Sequence, residues 1–364
     1  MEQQNKNLSL IQVLRGIASL LVVLFHTTFN TNALLHKDFG FNIFLFGGSG
    51  VDIFFVLSGF IITYTSIKWA SHPNKLLPFI RKRFVRIFPT YWIIITLFLL
   101  AQFLFPAFYS THFEFNLLNI LSTYLLLPGH IMVNGVSWTL TYELFFYILF
   151  SLVFLLPKKQ WAFIFFALYA CIVILIPIVS DGFEKSNGWL NLVSYPMNVE
   201  FFMGVLAAYL VPKIPYRASL PMIAAGSFCF IIGGLLYDGH YQLLSNTFNR
   251  VVFFGMPSFF IVLGLVKYEL IKKIKVHSVF LSLGEASYSL YLLHLPVLVA
   301  AIKTMEKFNI RNTIFVHVIL IGIIIIICFV AIRFYKWVEK PIIKKLNAGT
   351  KNKASLFTLA KRLP

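Results

Sequence analysis

The stretch RGIASLLVVLFH, positions 15 to 26, opens with an arginine and closes with a histidine on an otherwise apolar run. Eleven residues on, a helix has turned to within about 20° of its starting face and risen about 16 Å, so Arg15 and His26 line one face at different depths. An imidazole beside a carboxylate makes a general base. A guanidinium binds phosphate or steadies developing negative charge. Two carboxylates lie at depths comparable to His26: Asp52 in GGSGVDIFFVLSGFIIT and Glu143 in GVSWTLTYELFFYILF. Charges inside a membrane span are costly, so His26, Asp52 and Glu143 are expected to face one shared cavity, the carboxylates orienting the imidazole. Arg83 and Arg86, in PFIRKRFVRIFPTYW, share a helical face at a spacing of three. They read either as a topology signal or as a phosphate site.

Plainer readings stand beside these. Arg15 could snorkel to the headgroups, His26 could bond a neighbouring backbone, and Asp52 could cap a helix. The glycines Gly47, Gly48 and Gly50 serve helix packing equally well, and Ser58 with Gly59 lets a helix or a ligand approach closely. In SYSLYLLHLPV, Tyr288, Tyr291 and His294 recur every three residues, and His294 is as readily a packing residue as a functional one. FYKWVEKPI places Glu339 and Lys340 before Pro341, which reads as an interfacial end and helix stop.

The elements that carry these residues follow from composition. The 364 residues are 59% hydrophobic and only 12% charged, against about 25% charged in a soluble domain, and the mean hydropathy is +0.82. The apolar residues lie in runs long enough to span a bilayer. An all-α integral membrane protein is expected, with about ten transmembrane helices around a polar channel. The spans fall roughly at 9–29, 49–66, 89–108, 138–157, 161–179, 197–211, 219–237, 250–266, 284–302 and 314–335. The stretch 117–128 is too short to cross and reads as re-entrant or interfacial. With the N-terminus inside, about 25 of the 31 basic residues fall on the inner side, so both termini are expected in the cytoplasm.

The net charge of +18 is therefore read as topology, and no nucleic-acid partner is expected. A membrane domain over 1–345 precedes a short basic tail, 346–364, expected to be disordered or to lie on the inner leaflet. The first span has no cleavage signal and is expected to be retained. The stretch 109–137 is the longest outer segment and a candidate cover for a site. Cys171, Cys229 and Cys328 show no metal-ligand spacing and no paired framework. No metal site is expected, and phosphate-loop, HExxH and GxSxG motifs are absent.

Six stretches taken in order resemble the integral-membrane acyltransferase family 3: LRGIASLLVVLFH, GGSGVDIFFVLSGFIIT, RKRFVRIFPTYW, GVSWTLTYELFFYILF, SYSLYLLHLPV and VEKP, over about residues 7–342. Members O-acylate sugars and other hydroxyl compounds at bacterial surfaces. The resemblance implies that Arg15 and His26 are needed for activity, that Arg83 and Arg86 form the family's cytoplasmic arginine pair, and that Glu143 is its acidic residue after the SWTLTYE tryptophan. It implies a multi-pass enzyme of the inner (cytoplasmic) membrane that moves an acyl group, acetyl by family frequency, from acyl-CoA to a hydroxyl of a surface or exported glycan. His26, Glu143 and Asp52 would be catalytic; Arg15, Arg83 and Arg86 would hold the donor. Some members carry an extra esterase-like domain; here the membrane domain is expected to act alone or with a separate protein. The rival class is a proton-coupled transporter or flippase, for which intramembrane His, Arg and carboxylates are equally suited. Its usual repeated halves and paired broken helices are not evident.

Overall fold

Continuous apolar runs leave the backbone no partner but itself in lipid, and the chain answers with helices. The computed structural model describes residues 8–106, 113–130, 132–179, 188–236, 247–310 and 312–348, and contains no strand among them. The helices are α1 (Ser9–Leu35), α2 (Gly50–Ser66), α3 (Leu76–Leu104), α4 (Leu117–Leu125), α5 (Trp138–Ser151), α6 (Trp161–Val179), α7 (Gly188–Ser194), α8 (Asn198–Leu210), α9 (Ser219–Leu236), α10 (Met256–Ile271), α11 (Ser278–Glu285), α12 (Ser287–Lys307) and α13 (Thr313–Phe334). A one-turn helix, Thr247–Arg250, and a π-helical turn, Val251–Gly255, lead into α10.

Eight helical stretches among the described residues are long and apolar enough to cross a membrane. The all-α membrane architecture is as expected, and these eight stand among the roughly ten spans read from the sequence. Trp161–Leu175 belongs to a shorter apolar class, and the 13 residues of α8 rise about 20 Å, short of a hydrocarbon core of about 30 Å. Leu97, Phe103, Ile164 and Ile325 are exposed on the outside of the bundle, as lipid-facing side chains are.

One end of the bundle gathers most of the basic loops. The backbone N–H of Ser9 donates to Glu269 near the end of α10. Lys267 donates to the Val211 carbonyl just after α8 at 3.1 Å, and Arg81 to the Leu346 carbonyl at 3.3 Å. The N–H of Ser71, between α2 and α3, donates to Val153 after α5 at 3.2 Å. Helix α3 therefore leaves this basic end and α5 returns to it. Between them α4, nine residues long, spans only about 14 Å. Its last carbonyls accept from Tyr91 and Trp92 on α3, at 2.7 and 3.0 Å, so α4 lies beside α3 without crossing. Parts of the 109–137 stretch and the tail beyond 348 lie outside the described residues.

Two packing devices set the geometry of the site. A Cβ on Gly59 would stand 1.9 Å from the Phe201 carbonyl oxygen, and one on Gly204 2.1 Å from that of Val56. Only glycine lets α2 and α8 come this close, which fixes the rotation of α2. The second device corrects the reading of VEKPI. The helix does not stop at Pro341; after α13 a π-helical turn, Tyr335–Glu339, carries it on to residue 348. The wider turn accommodates the missing proline N–H. It also turns Glu339 fully inward, so Glu339 is a buried residue and not an interfacial end.

Candidate active site

A cavity of about 140 Å³ opens between α1, α2, α3, α5 and α12, lined by Arg15, Ser58, Arg83, Arg86, Glu143, Tyr147, Tyr288 and Tyr291 among others. Each polar lining residue is delivered by a helix whose other faces are apolar. Arg83 and Arg86 lie on the continuous α3 and both line the cavity, as their spacing predicts.

The charges are unevenly matched. Glu143 Oε1 accepts from Ser58 Oγ at 3.0 Å and from Tyr147 O–H at 2.5 Å. Arg86 pairs with Glu339 at 3.1 Å, and Glu339 accepts from Ser289 Oγ through its other oxygen at 2.5 Å. Arg86 also lies over the Tyr288 ring. Arg83 lies over the Phe79 and Tyr147 rings, at 5.2 and 5.4 Å, and its Nε is buried with no hydrogen-bond partner among the described residues. Arg15 reaches Gln12 Oε1 at 3.5 Å. Among the described residues neither Arg15 nor Arg83 has an ion-pair partner. Three guanidinium groups thus line the cavity, two of them uncompensated. That is the chemistry of a site for phosphates, whose oxygens match a guanidinium fork.

His26 stands on α1 above Arg15, and its partner is another histidine. His26 Nδ1 lies 2.9 Å from the Val22 carbonyl and 3.2 Å from Nε2 of His294. His294 is fully buried, with Nδ1 at 3.1 Å from the Leu290 carbonyl. Tyr291 connects this pair to the cavity. Its ring centre is 5.9 Å from that of His294, and its hydroxyl is 2.9 Å from Thr139 Oγ1. Tyr291 and Thr139 both line the cavity wall.

The expected grouping of His26 with Asp52 and Glu143 is not assembled. Glu143 faces the cavity arginines. Asp52 is fully buried and held by Arg250, through Nε at 3.0 Å to each oxygen and Nη2 at 2.7 Å. Arg250 Nη2 also reaches the Gly48 carbonyl at 2.8 Å, and the fully buried Glu200 lies alongside. Depth along a helix says nothing of direction around it. Asp52 and Ser58 on α2 are about 120° apart around the axis; Ser58 meets α5 at the cavity while Asp52 meets Arg250 on another side.

Sequence reasoning missed Arg250, Glu339 and the link between His26 and His294. Arg250 is one of few basic residues away from the basic end, and an isolated Arg at the depth of Asp52 was the available signal. The three-residue stripe of Tyr288, Tyr291 and His294 did carry information: its first two members line the cavity and the third meets His26. Among the described residues, no three His, Cys, Asp or Glu side chains cluster as metal ligands.

Comparison with known proteins supplies the chemistry. The family model described as "Acyltransferase domain" (Acyl_transf_3) matches residues 9–333. The chain is 25% identical over 318 residues to the exopolysaccharide production protein ExoZ of Rhizobium meliloti (strain 1021), covering 84% of this chain and 92% of ExoZ. It is also 25% identical over 339 residues to the O-acetyltransferase OatA of Staphylococcus aureus (strain NCTC 8325 / PS 47), covering 82% of this chain and 53% of OatA. The chain thus spans about half the length of OatA. No solved structure matches.

Proposed function

The chain belongs to the Acyltransferase domain family and is a membrane-embedded O-acyltransferase; from that premise we propose that its donor is acyl-CoA and its acceptor a hydroxyl of an exported glycan. The observation that carries this reading is the pair of uncompensated guanidinium groups, Arg15 and Arg83, beside Arg86 in one cavity. A coenzyme A donor brings several phosphates and a slim pantetheine arm. Arg83 and Arg86 would hold the phosphates from the basic end, with Arg15 further in. The positive-inside rule makes that end cytoplasmic, which gives an inner-membrane protein with both termini in the cytoplasm and residues 1–345 as one membrane unit. The name of ExoZ, an exopolysaccharide production protein, supports a glycan acceptor, and that of OatA supports acetyl as the group moved.

In the proposed step the acceptor oxygen attacks the thioester carbonyl carbon. The C–O bond forms, the C–S bond breaks, and the acceptor proton passes to Nε2 of His26. That nitrogen has no hydrogen-bond partner among the described residues. The proton then returns to the thiolate of coenzyme A. Arg15 steadies negative charge developing on the thioester oxygen or thiolate. Glu143 braces the cavity through Ser58 and Tyr147. Asp52, held by Arg250, supports the fold of α2 in place of the catalytic role its depth suggested.

The test uses proteoliposomes of the full chain with radiolabelled acetyl-CoA and a glycan acceptor. Label should reach acceptor hydroxyls with the native chain and fall by at least about a hundredfold with His26→Ala. Label transfer at the native rate by a folded His26→Ala protein would rule out the assignment.

A further inference from the structure

The histidine pair carries more than proximity. A carbonyl oxygen only accepts, so the contact of His294 Nδ1 with the Leu290 carbonyl requires a proton on Nδ1. A neutral His294 then has a bare lone pair on Nε2. The same rule puts a proton on His26 Nδ1, which faces the Val22 carbonyl at 2.9 Å and His294 Nε2 at 3.2 Å. One N–H shared between those two acceptors satisfies every contact with both rings neutral. The opposite tautomers would set lone pair against lone pair at both carbonyls. The chain of donors thus runs from His26 to His294 to the Leu290 carbonyl, and it leaves one free lone pair, on His26 Nε2.

We propose that His294 is the positioning residue of the acyl transfer, a neutral imidazole that does for His26 what a carboxylate does in a serine-hydrolase triad. This rests on the reading of His26 as the base. When His26 Nε2 takes the acceptor proton, its Nδ1–H becomes a stronger donor, and His294 Nε2 shares that proton and spreads the positive charge over two rings. Return of the proton to the thiolate restores both neutral tautomers, so no group is consumed.

The fold holds His294 for this task. It is fully buried, and the helix around it is anchored through a defect. Pro296 lies inside α12 and has no N–H for the Leu292 carbonyl four residues earlier. That carbonyl instead accepts from Asn134 Nδ2 at 3.0 Å. A side chain from the segment before α5 thereby pins α12 two residues before His294 and helps hold the ring against α1.

Two variants and one spectrum test the inference. In His294→Gln the side-chain carbonyl stands close to the place of Nε2 and can accept from His26; in His294→Leu nothing accepts. With acetyl-CoA in proteoliposomes, His294→Gln should keep kcat within about tenfold of native, and His294→Leu should lose about a hundredfold, with KM for acetyl-CoA unchanged in both. Equal losses in the two variants, or none, would overturn the acceptor role. Nitrogen-15 NMR of histidine-labelled protein should find His294 protonated at Nδ1 and bare at Nε2, and a proton at Nε2 would overturn the proposal even where the leucine variant fails to fold. If His26→Ala retains transfer, the base assignment itself falls; if His26→Ala is inactive while both His294 variants are fully active, only the present inference does.

Discussion

Two clusters of buried charge stand at either side of α2, and they differ in how they are matched. At one, Asp52 is gripped by Arg250 through three contacts, with Arg250 also bound to a backbone carbonyl and the buried Glu200 alongside. At the cavity, three arginines face Glu143 and Glu339, and the two carboxylates are occupied by Ser58, Tyr147, Ser289 and Arg86. In the first cluster the Asp52–Arg250 pair makes its directional bonds within the chain, while the buried Glu200 beside it has neither oxygen hydrogen-bonded among the described residues. The second leaves guanidinium groups of Arg15 and Arg83 with hydrogen-bonding capacity to offer a ligand. A charge inside a membrane therefore marks a site only when its partners are counted. Asp52 looked as promising as Glu143 in the sequence, yet Glu143 lines the cavity and Asp52 does not.

The contrast can be broken from the Asp52 side first. Asp52→Asn or Arg250→Met removes one half of a buried ion pair and unbalances the charge buried beside Glu200. Either should destabilise the protein by about 3–5 kcal/mol, read as a fall in the detergent-solubilised melting temperature. The surviving folded fraction should retain its transfer chemistry. Loss of turnover without loss of stability would place Asp52 back in the reaction. A smaller effect is expected where α2 meets α8. Gly59→Ala drives a methyl group against the Phe201 carbonyl, and overpacking of this kind costs about 1–3 kcal/mol. Because Ser58 is the neighbouring residue, the same variant should also lower kcat by shifting Ser58 from Glu143. A melting temperature equal to native would show that the helices can part there freely.

The fold class was legible because apolar runs and low charge leave few alternatives, and the arginine pair was legible because a spacing of three on a helix fixes a shared face. The route of α3, α4 and α5 was also within reach, since twelve apolar residues cannot span a bilayer. Three things were hidden. The direction in which Asp52 points depends on the rotation of α2, and that is set by the Gly59–Gly204 approach between segments far apart in sequence. The inward turn of Glu339 depends on a π-helical turn, a local irregularity that a regular 3.6-residue period does not describe. The meeting of His26 with His294 joins two helices 268 positions apart, and matching histidines by depth alone gives no azimuth. In each case the sequence held the residue type and the fold supplied its direction.

The central claim is that the uncompensated arginines of the cavity bind the donor, and direct binding of coenzyme A to the purified protein tests it. Arg83→Gln should weaken coenzyme A at least about tenfold, the loss of one charge-assisted contact. Glu339→Gln, which releases Arg86 from its carboxylate, should leave the affinity equal or tighter. A loss of affinity in Arg83→Gln with none in Glu339→Gln is what the account predicts. Native affinity in a folded Arg83→Gln protein would contradict it.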